Sequence, residues 1–442
     1  MPTLTNLLAL EILDSRGRPT LQVGCELAGG ILAWAQVPSG ASTGAAECHE
    51  LRDGDTSRHG GKGCLRACAS VTGEIRAALT GRSFEKQDDL DGALCALDGT
   101  AEKSRLGANA ILGVSLAFSR AWARWHHVPL HEAFAQIAGL HPVHLPRPTI
   151  NLFSGGKHAG GQVSIQDVLL LPIRAATLSD ALADVCRVYE SAKRIVETQY
   201  RSRPLVADEG GLAPDFPDSE SMLKDALLAI GDAGFEPGRD FALAVDLASS
   251  HFADPSHYFL DGRRLSPAEM VELLDDWTRR YPIVSVEDGL AEHHGEFWPS
   301  LVNRIGARVL VLGDDFLCTN PGRIGRAIVD GAANALLLKV NQIGTVSQAA
   351  LAGGLARQAG WHVTVSARSG ETEDDWLADL AVGWQGDHIK IGSITRSERL
   401  AKYNRLLTLE RQYGLPLAPP FRPEALQSRP IPSVKTPGTN KK

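Results

Sequence analysis

NALLLKVNQIG (residues 334–344) is an apolar run that ends on a lysine. Four of the five residues before Lys339 are apolar, so the chain crosses a core just before the charge. Burying an ammonium is unfavourable unless it is paired or used. The figure repeats on both sides. FALAVD (241–246), PIVSVED (282–288), RVLVLGDD (308–315), HVTVSARS (362–369) and DHIKIG (387–392) are apolar runs closing on Asp246, Glu287, Asp314, Arg368 and Lys390. After the first gap these charges recur about every 25 residues, with helical stretches such as SPAEMVELLDDWTRRY and GTVSQAALAGGLARQAG between them. That period predicts parallel βα units, and near-continuous apolar strands predict a sheet covered on both faces. Six units, with room for two more before residue 241, predict a (β/α)8 barrel rather than an open sheet.

In such a barrel the C-terminal strand ends converge on one mouth. One strand ending on a charge says only that solvent begins there; six, split into three acids and three bases, predict a site. Asp246, Glu287 and Asp314 together offer a hard-oxygen set suited to Mg2+ or Ca2+ rather than zinc. A lysine beside a divalent cation and other bases has a lowered pKa and can serve as a neutral general base. A metal next to such a base suits removal of a proton adjacent to a carboxylate. Arg368 and Ser369 supply an anion clamp, with phosphate its commonest guest.

Upstream, TLQVGCEL and GILAWAQV alternate like two strands joined at Ala28–Gly30, and LGANAILGVSLAFSRAWARWHH (106–127) has helical spacing. Prolines 129, 142, 146 and 148 crowd a plausible connection. The expected division is an α+β capping domain over 1–135, the barrel over 140–425 and a disordered tail over 426–442.

Composition narrows the classes. The chain has 442 residues, 43% hydrophobic and 22% charged, with net charge −7. This is a globular profile without the basic footprint of a nucleic-acid binder. No run is long enough for a membrane span, and the N-terminus meets Asp14 and Arg16 too early for a secretory signal. Seven scattered cysteines predict free thiols and a cytoplasmic setting. Cys64 and Cys68, without a second pair, do not make a zinc motif. GASTG (40–44) matches a hydrolase elbow in letters but follows an antiparallel hairpin. HGGKG (59–63) reads as a turn, His126–His127 as a helix end, and His293–His294 as surface.

DSRGRPTLQV, VPSGASTG, ELRDGD, GANAILGVSLA, KHAGG, ADEGGLAP, VDLASS, VSVEDGLAE, GDDFLCTNP, LLLKVNQIGT, RSGETEDD and RSERLAKYN occur in this order, nearly end to end. With them the chain resembles the enolase family. The resemblance implies an enolase-type barrel, two Mg2+ per site and a homodimer or higher homo-oligomer. Asp246, Glu287 and Asp314 would hold the first Mg2+, and Ser39, in the same loop as Ala41, would join the second. Lys339 would take the C2 proton, and Lys390 would neutralise the substrate carboxylate. Arg368 and Ser369 would hold the phosphoryl group. Glu209 would act where hydroxide leaves C3, with Asp167 beside it, and His158 and Gln166 would contact substrate from a closing loop.

Two pocket positions depart from the family. Its SHRSGETED is SARSGETED here, placing Ala367 before the arginine, and its QE is Gln166–Asp167. A third change puts Lys157 where the family has serine. Losing an imidazole while every metal ligand, both lysines and the clamp remain predicts a changed substrate, bulkier and more anionic at phosphorus. The expectation is a paralogue acting on a phosphonate analogue, as in phosphinothricin-type antibiotic biosynthesis, where an enolase-like enzyme is held to form carboxyphosphonoenolpyruvate. The alternatives are an ordinary glycolytic enolase and a non-catalytic enolase-like binding protein.

Overall fold

The computed structural model describes residues 1–41 and 43–421. The expected tail, 426–442, lies outside the described residues, as does Ser42 of the GASTG stretch.

The chain opens with an antiparallel sheet of β1 (Leu4–Leu13), β2 (Pro19–Leu27) and β3 (Ile31–Gln36), with β2 in the middle. β2 and β3 are the two alternating runs. β1 is not anticipated from sequence, because LTNLLALEIL sets apolar residues side by side and leaves Leu10 and Leu13 exposed. The helix Ala108–Trp125 falls within the expected 106–127 and packs across β2 and β3. A Cβ at its Gly113 would meet Val23 Cγ2 at 2.4 Å, so glycine sets how closely helix and sheet approach.

Eight further strands close into a barrel: β4 (Arg147–Ser154), β5 (Asp167–Pro172), β6 (Phe241–Asp246), β9 (Ile283–Glu287), β10 (Leu310–Gly313), β11 (Ala335–Leu338), β12 (His362–Ser366) and β13 (His388–Gly392). Between β6 and β9, β7 (Tyr258–Leu260) and β8 (Arg263–Leu265) pair as a small separate hairpin. Around the ring the order is β10-β11-β12-β13-β4-β5-β6-β9. β6 and the five strands from β9 to β13 are the runs marked by closing charges. Nearly all their residues are buried, as strands covered on both faces require.

The barrel differs from a uniformly parallel one in a single strand. β5 runs antiparallel to both neighbours, β4 and β6. Residues 155–166 return the chain directly from β4 to β5 and contain only a 3-10 turn, Gly156–His158. A parallel pairing needs a crossover, usually helical. The two helices before β6, Leu178–Gln199 and Ser219–Asp232, both follow β5 rather than one following each of the first two strands. This inversion brings the first residue of β5, Asp167, to the end of the ring where the other strands finish: it pairs with Asp246, the last residue of β6.

Candidate active site

Barrel order sorts the charges into arcs. Asp246 and Glu287 end β6 and β9, and Asp314 directly follows β10; these three strands are consecutive around the ring. Lys339 follows β11, Arg368 lies just past β12, and Lys390 is within β13, the next three strands. The closing β4–β5 pair faces β10 and β11 across the mouth. One pocket is lined by His158, Glu209, Asp246 and Asp314 together with Lys339, Arg368 and Lys390. These seven side chains, scattered along the sequence, share one cavity; Glu287 lines a second cavity, which has Lys390 in common with the first.

Lys390 Nζ donates to Asp246 Oδ2 at 2.7 Å and to both oxygens of Glu287, at 2.9 and 2.7 Å. Lys339 Nζ bonds Asp314 Oδ2, and Gln342 Nε2 reaches the other Asp314 oxygen at 2.9 Å. Burial, and then the charges of Asp246 and Asp314, push the Glu287 carboxyl well above its ordinary range despite Lys390. Burial followed by Asp314 pushes Asp315 up to about 7. Carboxylate oxygens of Asp288, Asp314 and Asp315 lie within 4.8 Å of one another. The strand-end acids therefore crowd more carboxyl groups together than the lysines offset, all of them oxygen donors, while His158, Asp167 and Glu209 on the facing wall form a second group whose ligand atoms lie within 4.8 Å of one another. Gln166, which donates to Asp246 Oδ2 at 2.9 Å, also keeps a buried Oε1 without a hydrogen-bond partner. That donor set fits Mg2+.

Glu209 and its neighbours form the facing wall. The loop carrying Glu209 is pinned to β4 by Ser154 N–H donating to Leu212 O and by Leu212 N–H donating to Leu152 O, both at 2.9 Å. A Cβ on Gly211 would sit 2.3 Å from Ser154 Oγ, so only glycine allows this approach. Asn151 Nδ2 then donates to Glu209 Oε2 at 3.1 Å. Asp167 is fully buried at 0% exposure and is absent from the pocket lining. Its Oδ1 accepts from Ser154 Oγ at 2.5 Å, and its Oδ2 lies 3.0 Å from His158 Nδ1. His158 does line the pocket, its Nε2 3.8 Å from Glu209 Oε1.

At the other end, Arg368 donates to Asn341 Oδ1 at 2.8 Å and, through Nη1 and Nη2, to Glu47 at 3.0 and 3.1 Å. Ser369 Oγ accepts from the Ala41 N–H at 2.8 Å and from Arg16 Nη1 at 3.2 Å. Ser39 and Gly370 exchange backbone hydrogen bonds at 2.8 and 2.9 Å, fastening this loop to the barrel rim. Ala367 is buried and lines the pocket beside Arg368.

Two expected residues stand apart. The Ser39 hydroxyl donates to Glu50 at 3.0 Å and accepts from Arg52 at 2.8 Å, and is not brought to the acids. Lys157 is exposed on the loop after β4, and its charge is felt by His251, which lines the pocket. Burial, and then Lys157, lower that histidine to about 4.

Sequence reasoning missed Glu47, Asn341, Gln342, Asp288 and Asp315. The last two had a signal: each directly follows a closing acid, and Asp288 accepts the N–H groups of both Asp314 and Asp315 at 2.8 Å. Glu47 had none, since its partner lies 321 residues away. Of the pair expected at the surface, His293 is exposed but His294 is buried. Its ring nitrogens meet the Tyr258 hydroxyl at 2.7 Å and Pro255 O at 3.1 Å, which satisfies a polar ring inside. All seven cysteines are free. No described helix is long and apolar enough to cross a membrane.

Residues 4–134 match the family described as enolase, N-terminal domain, and residues 142–417 match enolase, C-terminal TIM barrel domain. The chain belongs to the enolase family.

Proposed function

We propose that this enolase-family chain is a Mg2+-dependent hydro-lyase. It removes the C2 proton and eliminates water from a 2-phosphoglycerate-like substrate, giving an enolpyruvate phosphate or its phosphonate counterpart. The observation that carries the reading is the placing of Lys339 and Glu209 on facing walls of one pocket. Lys339 follows β11 and the Glu209 loop is pinned to β4, three strands away in a ring of eight, so a base and an acid group can reach opposite ends of one C2–C3 bond.

Asp246, Glu287 and Asp314 would hold Mg2+, which when bound supplies positive charge against the electron density gathering on the substrate carboxylate. Lys339 takes the C2 proton once its amine is neutral and free of Asp314. Lys390 remains an ammonium: burial opposes its charge, but Asp246 and Glu287 more than offset that and hold its pKa well above the usual lysine range. Arg368, Ser369 and the Ala41 N–H face the phosphorus end. Gln166 and His158 close the side where oxygen leaves, with Glu209. A second Mg2+ on Ser39 would require that hydroxyl to leave Glu50 and Arg52.

The small Ala367 side chain beside Arg368 supports a substrate bulkier at phosphorus, a carboxyphosphono analogue leading to carboxyphosphonoenolpyruvate in antibiotic biosynthesis. Lys157 would add a cation only if its loop folds inward. A homodimer or larger homo-oligomer working in the cytoplasm completes the proposal. The test follows absorbance of the new C=C bond with Mg2+ present, offering 2-phosphoglycerate and the carboxyphosphono analogue. Faster turnover of the analogue supports the specialised reading; turnover of 2-phosphoglycerate alone makes this an ordinary enolase. Silence on both refutes the hydro-lyase.

A further inference from the structure

We propose that Cys48 and Lys103 form a modification site, at which a peroxide oxidises the Cys48 sulfur and the Lys103 amine closes on it to give a reversible S–N cross-link. Neither residue lines the pocket described above, and the proposal stands whether or not the hydro-lyase reading does.

Lys103 is 2% exposed and Cys48 8%. Among the described residues, the one hydrogen-bond partner of Lys103 Nζ is the Cys48 sulfur, 3.7 Å away, and no carboxylate forms an ion pair with it. Burying an ammonium without an anion against it is unfavourable, so a salt bridge does not account for this lysine. The local backbone is nevertheless arranged to bring it inside. Lys103 takes a φ of +54°, in the left-handed region that side chains other than glycine adopt at a cost. A Cβ on Gly344 would meet Lys103 Cδ at 2.9 Å, so glycine there leaves room for the lysine stem.

The sulfur is held just as firmly. His49 N–H donates to Glu102 O and Ala108 N–H to His49 O, both at 2.8 Å, which pins the chain at residue 48 to the chain on either side of residue 103. The Cys48 N–H donates to Gln342 O at 2.8 Å, and its thiol to Ile343 O at 3.3 Å. Cys95, half-buried, stands close enough for Lys103 to act on its thiol as well. Burial raises the Cys48 thiol and Lys103 offsets this only in part, so oxidation is slow at neutral pH and quickens as pH rises.

The chemistry balances. The Cys48 sulfur attacks one oxygen of hydrogen peroxide and the O–O bond breaks; that oxygen stays on sulfur as a sulfenic acid, and the other leaves as water with the thiol proton. The lone pair of the neutral Lys103 amine then attacks sulfur. The S–N bond forms as the S–O bond breaks, and the hydroxyl leaves with a proton from nitrogen as a second water. Sulfur is oxidised by two electrons and the peroxide is reduced. Attack by an external thiol on the sulfur returns the amine and, after exchange with a second thiol, free Cys48. The cross-link thereby stops the sulfur short of the irreversible sulfinic and sulfonic acids.

The test treats the full-length chain with hydrogen peroxide at mildly alkaline pH, then alkylates, digests and maps it by mass. The expected product joins the peptides holding residues 48 and 103, lighter than their sum by two hydrogens, and a reducing thiol separates them. Lys103→Met, similar in length but without the amine, is expected to lose the cross-link. Its Cys48 should gain two or three oxygens that a reducing thiol cannot remove. Cys48→Ala should also lose the cross-link, and keeps the test open if Lys103→Met fails to fold. A disulfide between Cys48 and Cys95, wild-type Cys48 carrying oxygens instead of the amine, or Cys48 unreacted where the exposed Cys186 is oxidised overturns the proposal.

Discussion

Lys390 Nζ lies 2.7 Å from Glu287 Oε2 although β13 and β9 stand on opposite sides of the ring. One side chain thus bridges the barrel mouth and sits among carboxylates that would hold a cation. Lys390→Ala leaves Asp246 and Glu287 buried and uncompensated, and is expected to lose about 3–5 kcal/mol in urea unfolding without metal. Saturating Mg2+ should recover more stability in the variant than it adds to the wild type. Equal effects in both would remove these acids as the metal site.

Glu47 occupies both Nη atoms of Arg368. Glu47→Gln is expected to lower stability by about 2–3 kcal/mol, because a buried guanidinium loses its anion. Inorganic phosphate should then raise the unfolding midpoint more in the variant than in wild type. No extra protection would count against Arg368 as the phosphoryl clamp.

Ala367→His should narrow the phosphorus end. Turnover of the carboxyphosphono analogue is expected to drop about 10-fold or more relative to 2-phosphoglycerate, the range set by small steric changes in a pocket. Competition of the two substrates in one assay gives the ratio directly. An unchanged ratio would mean that Ala367 does not set specificity.

His388 lies in the barrel interior, one alternate position before Lys390 on β13, with Nε2 unpartnered. Burial, then His362, lower its pKa from 6.5 to about 3. Between those values the unfolded chain binds a proton that the folded chain does not, so stability falls as pH drops through that window, by about 1.4 kcal/mol per unit. His388→Leu should remove that slope. Between pH 7 and 5 the variant is expected to lose about 2 kcal/mol less than wild type in urea unfolding, and an equal loss would place the acid sensitivity elsewhere.

Much of the barrel was legible because apolar runs ending on charges recur at a regular period, and six of the eight strands lie on those runs. β4 and β5 lacked that signature: β5 carries its acid at the start, so it does not read as a run that closes on a charge. The site was legible through residue type at strand ends and through motif resemblance. It failed where the decisive feature was a hydrogen bond. Asp167 and Glu209 look alike in sequence, and only the Ser154 and His158 contacts draw Asp167 out of the pocket. Glu47 was invisible because nothing local marks a carboxylate whose partner is in the other domain.

The inverted strand also makes the identity of one residue a question of alignment between neighbours. Successive residues of a strand face opposite sides, so a shift of one step along β6 would set Gln166 or Val168 opposite Asp246 and turn Asp167 away from its present side. Six consecutive pairs with β6 resist that shift. Length changes within 155–166 can be absorbed as slack in the loop while the pairs hold; a single residue gained or lost inside the paired run would rewrite the wall without touching any motif.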